Sequence, residues 1–116
     1  MKDEARINPI IIRENISKKE YKLEFNRDSI RYAEQEGFDI QNIDTKQFAT
    51  VFDLFFYSFR MHHPEITREA ADRMIDTLGG LSNAVIERLA SLYQKAYTSL
   101  MTGEDETKNG QMTVIL

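Results

Sequence analysis

His62 and His63 are the residues best suited to acid–base or metal chemistry, and the chain has no other histidine. On a regular helix, neighbouring side chains point about 100° apart, so the pair cannot chelate one ion. No His-Glu-x-x-His pattern accompanies them. With Pro64 behind them they read as a helix end, where positive character suits the dipole. Asp39, Asn42 and Asp44 form an oxygen-rich loop without the alternate ligands, central glycine and distal glutamate of a calcium loop, so it reads as turn and cap. Gly79-Gly80 has no Lys-Ser or Lys-Thr after it and no strand before it, and reads as a helix stop rather than a phosphate cradle. The absence of cysteine removes thiol nucleophiles, disulfides and thiolate zinc sites. Serines and acids fall at caps and on polar faces, in no nucleophile–base or paired-carboxylate arrangement. The expectation is a protein that is not an enzyme and uses no cofactor and no metal.

Composition narrows the partners. The formal charge is −4 over 116 residues. An acidic surface repels phosphate, which argues against nucleic acid and against anionic membranes. The first six residues, Met1-Lys2-Asp3-Glu4-Ala5-Arg6, lack the apolar core of a signal peptide, and no apolar run approaches the ~20 residues of a membrane span. A cytoplasmic location follows as an expectation. The alternative reading is a helix-turn-helix DNA-binding regulator built on the helices flanking Gly79-Gly80. Between Thr67 and Met101 its four cations (Arg68, Arg73, Arg88, Lys95) are matched by four anions (Glu69, Asp72, Asp76, Glu87). Its second helix starts Asn83, Ala84, Glu87, Arg88, which is poor in the donors that read bases.

The elements that must position any site follow from periodicity. Residues 1–8 are polar and expected to fray. Pro9 precedes the β-branched run Ile10-Ile11-Ile12, a strand. Tyr21, Leu23 and Phe25 alternate with Lys22 and Glu24, a second strand with one buried face. The short connection makes them an antiparallel hairpin, which needs a cover for its apolar face. Asn26 caps a helix from Arg27 to Glu36 with Ile30, Ala33 and Tyr32 inward, stopped by Gly37. Asp44 and Gln47 have capping-box spacing ahead of an aromatic helix, Phe48 to Met61. Thr67 caps a helix carrying Ala71, Met74, Ile75 and Leu78. Ser82 caps the longest helix, with Val85, Leu89, Leu92, Tyr93, Ala96 and Leu100 on one stripe. The fold class is therefore α+β: an N-terminal antiparallel β-hairpin packed on about four α-helices, one domain over residues 9–101, then a flexible C-terminal tail, 102–116, ending in Met112-Thr113-Val114-Ile115-Leu116.

The aromatic helix is apolar on two sides. Phe48, Val51, Phe52, Phe55, Phe56 and Phe59 fall on one broad stripe, read as core. Leu54, Tyr57 and Met61 fall on a nearly opposite one, read as partner-facing, since aromatic and Met residues are enriched at interfaces. These three, with Val114, Ile115 and Leu116 of the tail, are the candidate protein-binding residues. The tail peptide suits strand addition or groove docking on a neighbour, and homo-oligomerisation is plausible on the same grounds. On this assignment Tyr57→Glu weakens partner binding and leaves the fold, whereas Phe52→Ala costs about 3–5 kcal/mol.

Three stretches in order carry a family resemblance: Lys19-Glu20-Tyr21-Lys22-Leu23-Glu24-Phe25, Ser29-Ile30-Arg31-Tyr32-Ala33-Glu34-Gln35-Glu36-Gly37-Phe38, and Phe48 to His63. Over roughly residues 10–100 the chain resembles the tail assembly chaperone group of phage and prophage tail gene clusters in Firmicutes-type bacteria. The resemblance implies a cytoplasmic, non-catalytic protein that holds the tape measure protein and other phage tail proteins, such as the tail tube protein, during tail morphogenesis. It fixes no binding residue.

Overall fold

The computed structural model describes residues 7–45, 48–101, 112 and 115–116. Two short strands, β1 (Ile10–Arg13) and β2 (Glu20–Leu23), pair antiparallel with Ile12 opposite Tyr21 and Ile10 opposite Leu23. Four helices follow: α1 (Arg27–Gln35), α2 (Phe48–Tyr57), α3 (Arg68–Leu78) and α4 (Asn83–Met101), with a 3-10 turn over Ile40–Thr45 ahead of α2. The expected α+β plan, a hairpin on four helices, is the fold observed. The expected Asp44–Gln47 capping box, the frayed residues 1–6 and most of the expected tail lie outside the described residues. Among the described residues, no helix is long and apolar enough to cross a membrane.

The caps sit where their residue types put them. Asn26 Oδ1 accepts the Ser29 N–H at 2.8 Å, and Ser29 Oγ accepts the Asn26 N–H at 2.8 Å. That reciprocal box satisfies two otherwise orphaned donors at the start of α1. Asn26→Ala is expected to cost about 1 kcal/mol, read as a lower urea midpoint at unchanged m-value. Thr67 caps α3 and Ser82 caps α4. Gly79, at φ 79°, takes the left-handed turn that stops α3.

The core is aromatic. Tyr93 of α4 meets Phe25 at 5.1 Å and Phe38 at 5.4 Å between ring centres, and Phe38 meets Tyr57 at 5.6 Å, all edge-on. Edge-on pairs at these distances add to simple burial. Leu23, Ile30, Ala33, Leu54, Leu89 and Leu92 fill the space around them. The Tyr93 hydroxyl donates to Glu34 Oε2 at 3.1 Å, so the ring is buried without orphaning its polar end.

The hairpin is held by the end of α2. Glu24 donates its N–H to the Ser58 carbonyl at 3.0 Å, and Lys22 donates its N–H to His63 Nε2 at 2.9 Å. The aromatic helix accordingly ends at Tyr57, not at Met61. Beyond it Phe59 and Arg60 bond three residues back, and Ser58 Oγ donates to the Phe55 carbonyl at 2.6 Å. The chain tightens because the Ser58 carbonyl turns to the hairpin instead of continuing the helix.

Candidate functional site

The faces of α2 differ in part from those expected from periodicity: Phe55 and Phe59 are buried as expected, but Phe48 and Phe52 of the same stripe are exposed. Leu54 is fully buried and Tyr57 is 3% exposed, so two of the residues read as partner-facing are core. The buried arc is Thr50, Leu54, Tyr57 and Ser58, spaced i, i+4, i+7, i+8, with Phe55 beside it. Thr50 and Ser58 are hydroxylated, which weakened this arc in a hydrophobicity reading. The outward arc is Phe48, 84% exposed, and Phe52, 37% exposed, one turn apart, with exposed Ala49 and half-buried Phe56. Phe52→Ala is thus expected to cost about 1–2 kcal/mol rather than 3–5, because over a third of the residue is already in water.

A polar bracket fixes the rotation of α2. The Tyr57 hydroxyl donates to Glu36 Oε1 at 3.0 Å and accepts from Arg68 Nη2 at 3.1 Å. Arg68 also pairs with Asp53 and lies 4.6 Å from the centre of the Phe56 ring. One guanidinium therefore ties α3 to one face of α2, through Asp53, Phe56 and Tyr57, with its charge met by carboxylate and ring face. Arg60 stacks 3.8 Å over Tyr32 on the α1 side. With rotation locked, Phe48 and Phe52 are held at the surface by a rigid scaffold.

Burial pushes the Tyr57 hydroxyl up to about 12, with the Glu36 hydrogen bond and charge adding to it and Arg68 opposing. The neutral phenol is the form the fold prefers. Above pH 10 the unfolded chain releases this proton first, so stability falls as pH rises from 10 towards 12. Tyr57→Phe should flatten part of that alkaline decline in melts between pH 9 and 12, with Tyr93 and Tyr32, whose hydroxyls are also raised, contributing to the remainder.

Other candidates land as follows. Met61 is 36% exposed, past the end of α2, and Ile115 and Leu116 are exposed. Val114 lies outside the described residues. His62 Nε2 sits 2.9 Å from Glu24 Oε1, and His63 is the acceptor that closes the β2 edge, so both serve as staples between the α2 end and the hairpin. Sequence gave no sign of that role, since it depends on a contact 41 residues away. Asp39 is a cap, accepting the Gln41 N–H at 3.0 Å. Among the described residues, no group of three or more His, Cys, Asp or Glu is placed to hold a metal ion. In the α3–α4 pair, Arg68 is engaged by Asp53 and Tyr57, and Arg88 donates to the Asn8 carbonyl at 3.2 Å. Both cations are turned to the protein's own groups, which disfavours a phosphate-binding use of these helices.

The family described as Domain of unknown function (DUF5055) matches residues 1–116, and the chain belongs to it. No curated protein and no solved structure matches the chain.

Proposed function

We propose that this family member is a non-catalytic protein-binding protein of the phage tail assembly chaperone kind, holding the tape measure protein or the tail tube protein in the bacterial cytoplasm during tail morphogenesis. The observation that carries the reading is the pair Phe48 and Phe52, 84% and 37% exposed and one turn apart on a helix whose rotation is fixed. Two aromatic knobs at i and i+4 suit the face of an amphipathic client helix. The family resemblance of the hairpin, α1 and α2 stretches points to clients that are long and helical.

Magnitude fits the role. Fully burying a Phe contributes about 1.5–3 kcal/mol, so covering Phe48 and the exposed part of Phe52 gives about 2–4 before the entropy of association is subtracted. That supports reversible holding rather than a permanent complex. The net charge of −4 keeps such a surface dispersed in the absence of a client. The test is to dilute purified tape measure protein from denaturant with and without the chain. The expected result is suppressed light scattering and co-elution of the two. Undiminished aggregation and separate elution would count decisively against the reading.

A further inference from the structure

We infer that His62 and His63 form a proton-operated latch on the hairpin: a second proton on His63 releases the outer edge of β2, whereas a second proton on His62 keeps its own grip. The reasoning rests on which atoms can donate. Lys22, inside β2, gives its backbone N–H to His63 Nε2 at 2.9 Å, across 41 residues of sequence. A backbone amide only donates, so Nε2 must carry a lone pair. His63 is therefore a neutral imidazole with its proton on Nδ1, the nitrogen that lies 4.0 Å from Glu65 Oε2. An imidazolium has protons on both nitrogens and no acceptor left, so the Lys22 bond and a second proton on His63 exclude one another.

His62 follows the opposite rule. Its Nε2 lies 2.9 Å from Glu24 Oε1. An ionised carboxylate only accepts, so this nitrogen carries the proton and Nδ1 the lone pair. A second proton goes to Nδ1, and the Glu24 bond becomes charge-assisted instead of being lost. Two adjacent imidazoles thus hold one hairpin through opposite tautomers. A third link, the Glu24 N–H to the Ser58 carbonyl at 3.0 Å, joins two backbone groups and does not titrate. Release is therefore local: the edge opens at Lys22 while the hairpin stays docked at Glu24.

The surroundings of His63 permit the exchange. Its side chain is 19% exposed, enough for a proton to reach it, and its ring meets Tyr21 edge-on at 5.3 Å between centres. On the hairpin side the charged and titratable groups are Tyr21 itself, Lys19 over the Tyr21 ring, Lys22, and Glu24 held by His62. On the segment after α2 they are Arg60, His62 and Glu65, and Tyr32 of α1 and Tyr57 of α2 line the same small cavity as His63 and Arg60. The exposed Glu65 carboxylate is the group beside Nδ1 that can meet the imidazolium once the Lys22 bond is gone. Histidine is the side chain whose charge ordinarily changes between about pH 5 and 8. Towards the top of that range the β2 edge is pinned at Lys22 and Glu24, and towards the bottom at Glu24 alone.

Nitrogen-15 NMR of the ring atoms and backbone amides of the full chain tests this. At about pH 8 the expected state is His63 protonated on Nδ1 only and His62 on Nε2 only. On lowering to about pH 5 the Lys22 amide should lose roughly tenfold in exchange protection, with the midpoint of the His63 ring, while the Glu24 amide keeps its protection. His63→Gln, whose side-chain oxygen accepts at either pH, should make the Lys22 protection constant. His62→Gln should leave the Lys22 transition in place. A His63 protonated on Nε2 at the upper pH, a Lys22 amide indifferent to the titration of His63, or a Lys22 transition that survives His63→Gln would overturn the inference. So would joint loss of protection at Lys22 and Glu24, since the hairpin would then be melting as a whole. The ring-atom measurement uses the unsubstituted chain, so it decides the matter even where a variant fails to fold. None of these readouts involves a client, so this inference and the chaperone reading can fail separately.

Discussion

Tyr57→Glu is expected to unfold the protein. The ring packs against Phe56 at 5.1 Å, Phe38 at 5.6 Å and Tyr32 at 6.0 Å between centres, and its hydroxyl reaches Glu36 and Arg68. A glutamate there removes the aromatic volume and brings a second carboxylate towards Glu36 in a site with little water. Losing a buried aromatic ring costs about 3–5 kcal/mol, and a carboxylate buried beside Glu36, with only an Arg68 already shared with Asp53 to meet it, adds to that cost. The sum rivals the whole 5–15 kcal/mol that holds a typical domain together. Tyr57→Phe separates the two causes, because it keeps the ring and loses only the hydroxyl bonds, at about 1–3 kcal/mol. Urea melts of the two variants are the measurement. A Tyr57→Glu protein that melts like the parent would mean that α2 is rotated from the orientation described.

The opposite pattern is expected for Phe48→Asp combined with Phe52→Asp. Phe48 is almost fully in water and Phe52 a little over a third so, and both lie on the outer arc of α2. Stability should fall by no more than about 2–3 kcal/mol, nearly all of it from the buried part of Phe52, and the fold should be kept. Client affinity should fall by roughly 10–10³-fold, the equivalent of about 2–4 kcal/mol of lost apolar burial. The carboxylates also carry a desolvation penalty against any apolar client face. Calorimetric titration beside a thermal melt reads both quantities on one sample. Loss of binding together with loss of fold would place these rings in the core.

The hairpin, the caps and the order of the helices were legible because each rests on local chemistry. Alternation at Tyr21, Leu23 and Phe25, the Asn26 and Thr67 caps and the Gly79 stop need no knowledge of what lies across the fold. The orientation of α2 was not legible, because periodicity picks a face only when one face is polar. Here Phe48 and Phe52 are apolar and outside, while Thr50 and Ser58 are hydroxylated and inside. What decides between the arcs is the Tyr57 hydroxyl, which finds Glu36 on α1 and Arg68 on α3, partners 21 and 11 residues away. The end of α2 was misplaced for a related reason, since the Ser58 carbonyl is claimed by Glu24 of the hairpin. The consequence for function is a transfer of the candidate surface from Leu54 and Tyr57 to Phe48 and Phe52. The proposal of a sticky aromatic helix survives on different residues.

The most direct measurement is photo-cross-linking from position 48 in cells that are assembling tails, with a benzophenone amino acid replacing Phe48 and a parallel probe replacing Leu54. A covalent adduct with the tape measure or tail tube protein from position 48, and none from position 54, is the predicted result. Adducts from position 54 alone, or no tail-protein adduct from position 48, would contradict the assignment of this helix face as the client-holding surface.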